Sequence, residues 1–367
     1  MNVDYSFLDT LISQNQSFSL YRIPESGILV FVLQKGRKLQ SFKHLSELNG
    51  EEGFVLAPFM ISAQNPVVLI HPDITLTGDK EIFDFLSKTV MPSKVEKPQA
   101  SLSQMSGFEI QAEYRKAFEI FKTALRSNIC KKVVLSRKHT INRSKQFSSG
   151  KTFEMACRAY PDAFVYLCHT PLTGTWCGCS PELLLSAKGL TGQTAALAGT
   201  KKISGCSEFC DWDQKNRVEQ QIVSDYLEAL LLKKGMTYSK DGPYTVKAGK
   251  LMHLKTVFDF QIKNREKLGD LLESLHPTPA VCGYPRKEAY RLIAEKEGYD
   301  RSYYSGFTGM LSSTGNTDLY VNLRCMKIEP ESLTFFAGGG LLASSDIETE
   351  WEETEEKLRT MLSLVKV

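Results

Sequence analysis

Glu350 and Glu353 stand three apart in the acidic run Glu350-Trp351-Glu352-Glu353-Thr354-Glu355-Glu356, a spacing that puts both on one face of a helical turn. Carboxylate oxygens are the ligands Mg2+ prefers, and it usually takes one or two from protein while keeping waters and substrate oxygens. Just upstream, Ala337-Gly338-Gly339-Gly340 reads as a glycine-rich turn, and Ser345-x-x-Glu348 as a capping box that starts the helix. No Gly-Lys-Ser/Thr follows the glycines and their spacing does not fit a dinucleotide fingerprint, so their N–H groups suit a carboxylate rather than a phosphate. Taken alone, the acidic run reads as a solvated helix face.

Three further charged residues interrupt apolar surroundings. Lys132 opens Lys132-Val133-Val134-Leu135-Ser136-Arg137, Glu182 follows Ser180-Pro181 and precedes three leucines, and Arg324 lies between Leu323 and Cys325. Each would be costly to bury alone, and groups held that way are candidates for acid, base or substrate clamp. A lysine and a glutamic acid facing one dry cavity can supply base and acid. Glu219 sits in Lys215-x-Arg217-x-Glu219, where flanking cations read as an exposed ion-pair face unless the residue meets Glu350 and Glu353.

The elements that must position these groups come as hairpins separated by long helices. Phe18 to Leu33 alternates around Pro24-Glu25-Ser26-Gly27, and Gly53 to Pro58 and Pro66 to Leu69 read as short strands. Glu109 to Ser127 is helical, Ala163 to His169 and Thr175 to Ser186 form strand-like runs, and Asp318 to Ile328 pairs with Leu333 to Ala337. Asp213 to Lys233 reads as an amphipathic helix with Val218, Ile222, Leu227 and Leu230 on its apolar side, and another helix begins near Arg286. Hairpins and external helices favour antiparallel or mixed sheets over repeated βαβ units. Ser87 to Ser106, rich in Lys, Pro, Ser and Gln, is the best internal boundary.

A chain of 367 residues with 42% hydrophobic and 24% charged content can bury a sizeable core. A net charge of +3 with dispersed Lys and Arg argues against nucleic-acid binding and leaves room for a small anionic substrate. No basic n-region opens the chain and no stretch is long enough for a membrane span, so a cytoplasmic protein without membrane contact is expected. The nine cysteines read as reduced core residues, since neither Cys177-x-Cys179 nor Cys206-x3-Cys210 has a partner at zinc spacing.

In order, Lys132-Val-Val-Leu-Ser-Arg137, Ser180-Pro-Glu182, Ala198-Gly-Thr200, Lys215-x-Arg-x-Glu219, His276-Pro-Thr-Pro-Ala280, Asp300-Arg301-x-x-Tyr304-x-Gly306, Arg324-Cys325 and Phe336-Ala-Gly-Gly-Gly340 through Glu353 resemble the chorismate-utilising enzymes. The resemblance covers roughly residues 105 to 360. It implies an α/β fold, α+β-like, a large two-sheet sandwich flanked by helices. Residues 105–367 would form the chorismate-binding catalytic region, with the strand-rich residues 1–104 integrated in the same fold. It also implies Mg2+ held by Glu219 and Glu353 with Glu350 near the ion, Lys132 as general base on water and Glu182 as general acid. Arg324, Tyr304 and the Gly338 backbone would hold the enolpyruvyl carboxylate; Gly199, Thr200 and His253 would line the ring end. Leu323 would border the substrate, and Lys357 would complement the carboxylates.

Lys132 and Ala280 resemble the isochorismate-forming branch, with water as nucleophile and no amidotransferase subunit; a monomer or weak homodimer is expected. The alternatives are a salicylate synthase, which would go on to eliminate pyruvate, and a non-catalytic carboxylate-binding protein. Asn216 and Gln220 depart from the Asp and His common beside the metal glutamate in the family, which bears on the groups supporting that ligand.

Overall fold

The computed structural model describes residues 4–36, 38–90, 107–203, 211–249 and 251–365. Along the chain run α1 (Ser6–Ser13), β1 (Phe18–Arg22), β2 (Leu29–Leu33), β3 (Gln40–Phe42), β4 (Gly53–Ala57), β5 (Val67–Ile70), β6 (Ile74–Thr77), α2 (Asp79–Thr89) and α3 (Gly107–Arg126). Next come β7 (Lys132–Asn142), α4 (Ser149–Ala159), β8 (Phe164–Thr170), β9 (Gly174–Ser180), β10 (Leu183–Lys188), β11 (Thr191–Lys202), α5 (Gln214–Lys233), β12 (Tyr238–Ala248) and β13 (Leu251–Gln261). The remainder is α6 (Leu268–Leu275), β14 (Gly283–Tyr284), α7 (Arg286–Lys296), β15 (Phe307–Leu311), β16 (Thr317–Val321), β17 (Cys325–Ile328), β18 (Ser332–Leu341) and α8 (Ile347–Leu362).

The strands form two nine-stranded sheets, ordered β14-β7-β18-β17-β9-β8-β1-β2-β6 and β12-β13-β11-β10-β16-β15-β4-β5-β3. Neighbours such as β7 and β18, which pair from Ser332 with Asn142 to Leu341 with Val133, run antiparallel. Aromatic residues fill the space between the sheets, among them Tyr21, Phe54, Phe164, Tyr166, Trp176 and Phe336. Leu8, Ile82, Phe153 and Leu358 from α1, α2, α4 and α8 cover the outside of the first sheet; Val223, Leu227 and Leu272 from α5 and α6 cover the second. Strands from the first hundred residues enter both sheets: β1, β2 and β6 the first, β3, β4 and β5 the second.

Several sequence expectations are corrected. Thr175 to Ser186 is two strands in different sheets, because Pro181 has no N–H to donate to a ladder and the chain turns there. Asp318 to Ile328 divides likewise at Asn322-Leu323-Arg324, where Arg324 takes a left-handed φ of +47°. The three glycines form the last part of β18 rather than a turn. On α5, Val218 faces outward at 41% exposure while Glu219, Gln220, Val223 and Leu227 are buried. Asp346, not Ser345, caps α8: its carboxylate accepts the N–H groups of Glu348 and Thr349, both at 3.1 Å. Of the boundary expected at Ser87 to Ser106, α2 occupies the start, and residues 91–106 lie outside the described ones.

Among the described residues no helix is long and apolar enough to cross a membrane. Cys177 and Cys179 are free and buried, as are Cys168, Cys282 and Cys325; Cys206 and Cys210 lie outside the described residues.

Candidate active site

Two of the places where the chain changes sheet lie side by side. β9 hands over to β10 through Pro181-Glu182, and β16 hands over to β17 through Asn322-Leu323-Arg324. The Val321 N–H donates to the Glu182 carbonyl (2.9 Å), the Cys179 N–H to the Arg324 carbonyl (3.1 Å), and the Ser180 hydroxyl to the Val321 carbonyl (2.6 Å). Two charged side chains therefore leave the sheets at neighbouring points, where ladder geometry cannot hold them to one face.

The same crossing opens a gap. β17 pairs with β18 only through Phe335, so from Phe336 to Leu341 β18 keeps β7 on one side and has no strand on the other. A cavity with about 660 Å3 of space between its atoms, part of it open to solvent, occupies this place. Glu182, Leu323 and Arg324 line it from the crossings, Gly199 and Thr200 from β11, and His253 from β13. Ala280, Tyr304, Gly338 of β18, Lys357 of α8 and Glu219 of α5 also stand at its wall, whereas Lys132 lies behind Glu219 and is not among the lining residues. Glu350 and Glu353 line an adjoining open funnel of about 1950 Å3, and Thr200 borders both spaces.

The glycines make room for the charged groups. Successive strand residues face opposite sides, and a Cβ at Gly340 would stand 2.1 Å from Glu219 Oε1 and 2.8 Å from Lys132 Cε. A Cβ at Gly339, on the other face, would stand 3.0 Å from Glu350 Oε2 and 3.5 Å from Glu353 Oε1. Carboxylates from α5 and α8 thus reach the bare main chain of one strand from its two sides. At Gly338 the absent Cβ leaves space 3.0 Å from the Tyr304 hydroxyl.

Each carboxylate has its own lysine. Lys132, fully buried, holds its Nζ 3.1 Å from Glu219 Oε1 without the alignment of a hydrogen bond. Lys215 donates to Glu350 at 2.5 Å, and Lys357 to Glu353 at 2.7 Å and to the Gly338 carbonyl at 2.8 Å. Burial and the nearby Glu353 raise the Glu350 carboxyl, against the pull of Lys215. Burial would raise Glu353 as well, but Lys357 and Lys215 outweigh it and hold that group below the usual carboxylate range. Burial pushes Glu182 up to about 8, although Lys132, Lys357 and Arg324 all draw it down. At neutral pH it keeps its proton.

His253 is pushed down to about 3 by burial, reinforced by Arg324 and Lys357, so its ring is neutral. Its Nδ1 contacts the Gly199 carbonyl at 2.9 Å and must carry the proton, leaving Nε2 to accept from Arg324 Nη2 at 2.8 Å. Arg324 Nη1 donates to the Ala248 carbonyl at 3.0 Å, so the guanidinium is oriented before any ligand arrives. Asn216 supports Thr200 by accepting its N–H at 2.9 Å, and Gln220 donates to Thr256 at 2.7 Å. These two residues thereby hold strands β11 and β13 against α5.

The donor set fits a hard divalent cation. Glu350 Oε2 is buried without a hydrogen-bond partner beside Glu353, and both are oxygen ligands. Among the described residues no three His, Cys, Asp or Glu side chains gather as a metal cage, which an ion taking one or two protein ligands does not need. Two further groups escape a sequence reading. Lys215 looked like surface charge, and Ser305, an unmarked residue between Tyr304 and Gly306, lines the cavity. Only the four-residue spacing of Lys215 from Glu219 could have signalled the first, since it puts both on one helix face.

Comparison with known proteins places these features in a family context. The model of the chorismate binding enzyme family matches residues 6–366. Isochorismate synthase EntC of Escherichia coli (strain K12) is 32% identical over 244 residues, which span 64% of this chain and 62% of EntC. Isochorismate synthase MenF of Bacillus subtilis is 28% identical over 85% of this chain and 69% of its own length. The structure of MenF, the menaquinone-specific isochorismate synthase from Escherichia coli, superposes with a TM-score of 0.79 at 20% identity, covering 100% of this chain and 92% of that one. That likeness bears on the fold, and it agrees with the two-sheet sandwich flanked by helices.

Proposed function

Since the chain belongs to the chorismate binding enzyme family, we propose that it converts chorismate to isochorismate, by attack of water at C2 with loss of the C4 hydroxyl. The observation that carries this reading is a buried glutamic acid that keeps its proton at neutral pH, in one cavity wall with a fully buried lysine behind it. The curated relatives named isochorismate synthase support it.

In this mechanism Lys132 takes a proton from the attacking water. Glu182 gives its proton to the departing hydroxyl, and the ring double bonds shift between the two events. One dry pocket serves both, because enclosure excludes bulk water that would otherwise exchange protons with either group. Arg324, fixed by His253 and Ala248, and the open rim of β18 at Gly338 would hold the enolpyruvyl carboxylate, with Tyr304 beside them. Thr200 and His253 would border the ring.

Glu219 and Glu353 would hold Mg2+ with Glu350 in support. When bound, the ion would screen the ring carboxylate and polarise the adjacent diene as a Lewis acid. Lys357 would keep Glu353 aimed at the funnel. Ala280 leaves the ring end without a hydroxyl or amine, in keeping with water as the only nucleophile.

The test is to incubate the pure protein with chorismate and Mg2+ and identify the product. Isochorismate alone supports the reading. Salicylate with pyruvate would replace it by a salicylate synthase, and binding without turnover by a carboxylate-binding protein.

A further inference from the structure

Ser305 combines three properties that ordinary packing does not explain. It lines the cavity. It is fully buried, and its hydroxyl lacks a hydrogen-bond partner. The Tyr304 phenol approaches that hydroxyl, but the pair does not align as donor and acceptor. Finally, its backbone sits at a φ of +61°, the left-handed region that glycine adopts freely and serine only at a cost. A glycine here would relieve the backbone, and an alanine would remove an unsatisfied buried polar group.

The conformation is held from outside. The Ser305 N–H donates to the Asn322 carbonyl at 2.9 Å, and the Asn322 N–H to the Gly306 carbonyl at 2.8 Å. Asn322 is itself fully buried: it accepts from the Tyr166 hydroxyl at 2.6 Å and donates to the Tyr303 carbonyl at 2.9 Å. It is also the first residue of the crossing that carries Arg324. Asn322 therefore ties Ser305, through main chain and side chain, to the crossing that carries Arg324, and Ser305 and Arg324 both sit at left-handed φ. A strained backbone and an orphaned hydroxyl persist only when surrounding structure imposes them, and here it directs them at a ligand site.

We propose that Ser305 is a further substrate-contacting residue, its hydroxyl donating to the carboxylate that Arg324 and the Gly338 rim receive. This rests on the function proposed above and names one more determinant of its selectivity. The hydroxyl would favour a substrate carrying a second carboxylate at that end over a ring acid that lacks one. Cavity wall, orphaned donor and imposed strain meet at one residue that lines the same cavity as a fixed guanidinium.

The experiment compares wild type, Ser305→Ala and Ser305→Gly with Mg2+ present, measuring kcat and KM for chorismate together with denaturant stability. Loss of one hydrogen bond to a charged group should raise KM about tenfold in both variants. It should leave kcat within about twofold and Ser305→Gly at least as stable as wild type. A KM within about threefold of wild type in Ser305→Gly would overturn the assignment, as would a KM rise accompanied by lost stability in both variants. If wild type gives no turnover, the proposed function fails instead. Chorismate binding by calorimetry then decides for Ser305 by the same tenfold criterion, with unchanged affinity in the variants, or no binding to wild type, counting against it.

Discussion

The Glu182 carbonyl accepts the N–H of Val321, and three residues further along the chain the Arg324 carbonyl accepts the N–H of Cys179. The proposed acid and the guanidinium of the site are thus fixed by a reciprocal exchange between two chain crossings. Their separation depends on main-chain geometry, not on the flexibility of long side chains. This rigidity frames what substitutions should do.

Replacing either proposed proton carrier should cost chemistry and leave binding. In Lys132→Gln and in Glu182→Gln, kcat should fall by about 10^2 to 10^4 while KM changes little. Steady-state kinetics on variants shown to be folded by circular dichroism checks this. A Lys132→Gln enzyme with unchanged kcat would remove lysine from the role of base.

The raised Glu182 has a signed consequence for pH. The folded state holds this proton up to about pH 8 while the unfolded chain releases it near the ordinary value of 4.5. Folding therefore binds a proton between those values, and stability contributed at this site declines as pH rises through the window, by at most about 1.4 kcal/mol per pH unit. Glu182→Gln should flatten that decline in urea titrations at pH 5, 6.5 and 8. In wild type, kcat/KM should fall above about pH 8 as the acid is lost.

The glycines of β18 should differ in tolerance. Gly340→Ala would drive a methyl to 2.1 Å from Glu219 and against Lys132, so activity should be abolished and stability lowered by about 1–3 kcal/mol. Gly339→Ala meets Glu350 Oε2 at only 3.0 Å and should fold, with weakened Mg2+ binding as its main defect. Calorimetric titration with Mg2+ and thermal melts separate the two outcomes.

Metal dependence can be read without turnover. Mg2+ at a hundred times its dissociation constant should stabilise wild type by about 2.7 kcal/mol, and a chelator should reverse the gain. Glu219→Gln and Glu353→Gln should each lose most of that response. Unchanged melting of wild type with and without Mg2+ would count against the assigned ligands.

Much of this arrangement was legible in the residues. Lys132, Glu182 and Arg324 stood out because charges inside apolar runs need partners, and the resemblance supplied an order for them. What the sequence did not disclose was topology. Thr175 to Ser186 carries a continuous strand pattern, yet its halves serve different sheets, since local alternation says which face a residue takes and not which sheet it joins. The glycines misled for a related reason: they look like a turn, but their smallness answers the approach of Glu219 and Glu350, which are far away in sequence. Lys215 gave the appearance of surface charge because a helix face is exposed or buried according to what packs on it. Ser305 had no sequence signal, as its meaning lies in a backbone angle and a missing partner.

The twin crossings also decide how damage to this chain will show itself. Neither sheet is complete without strands handed over from the other, and strands of the first hundred residues sit in both. No catalytic half can be cut away and kept. A destabilising change in either sheet should accordingly reduce the number of competent molecules and leave each survivor's chemistry intact. Loss of activity under heat would follow global melting, and defects that change the reaction itself should cluster where the chain changes sheets.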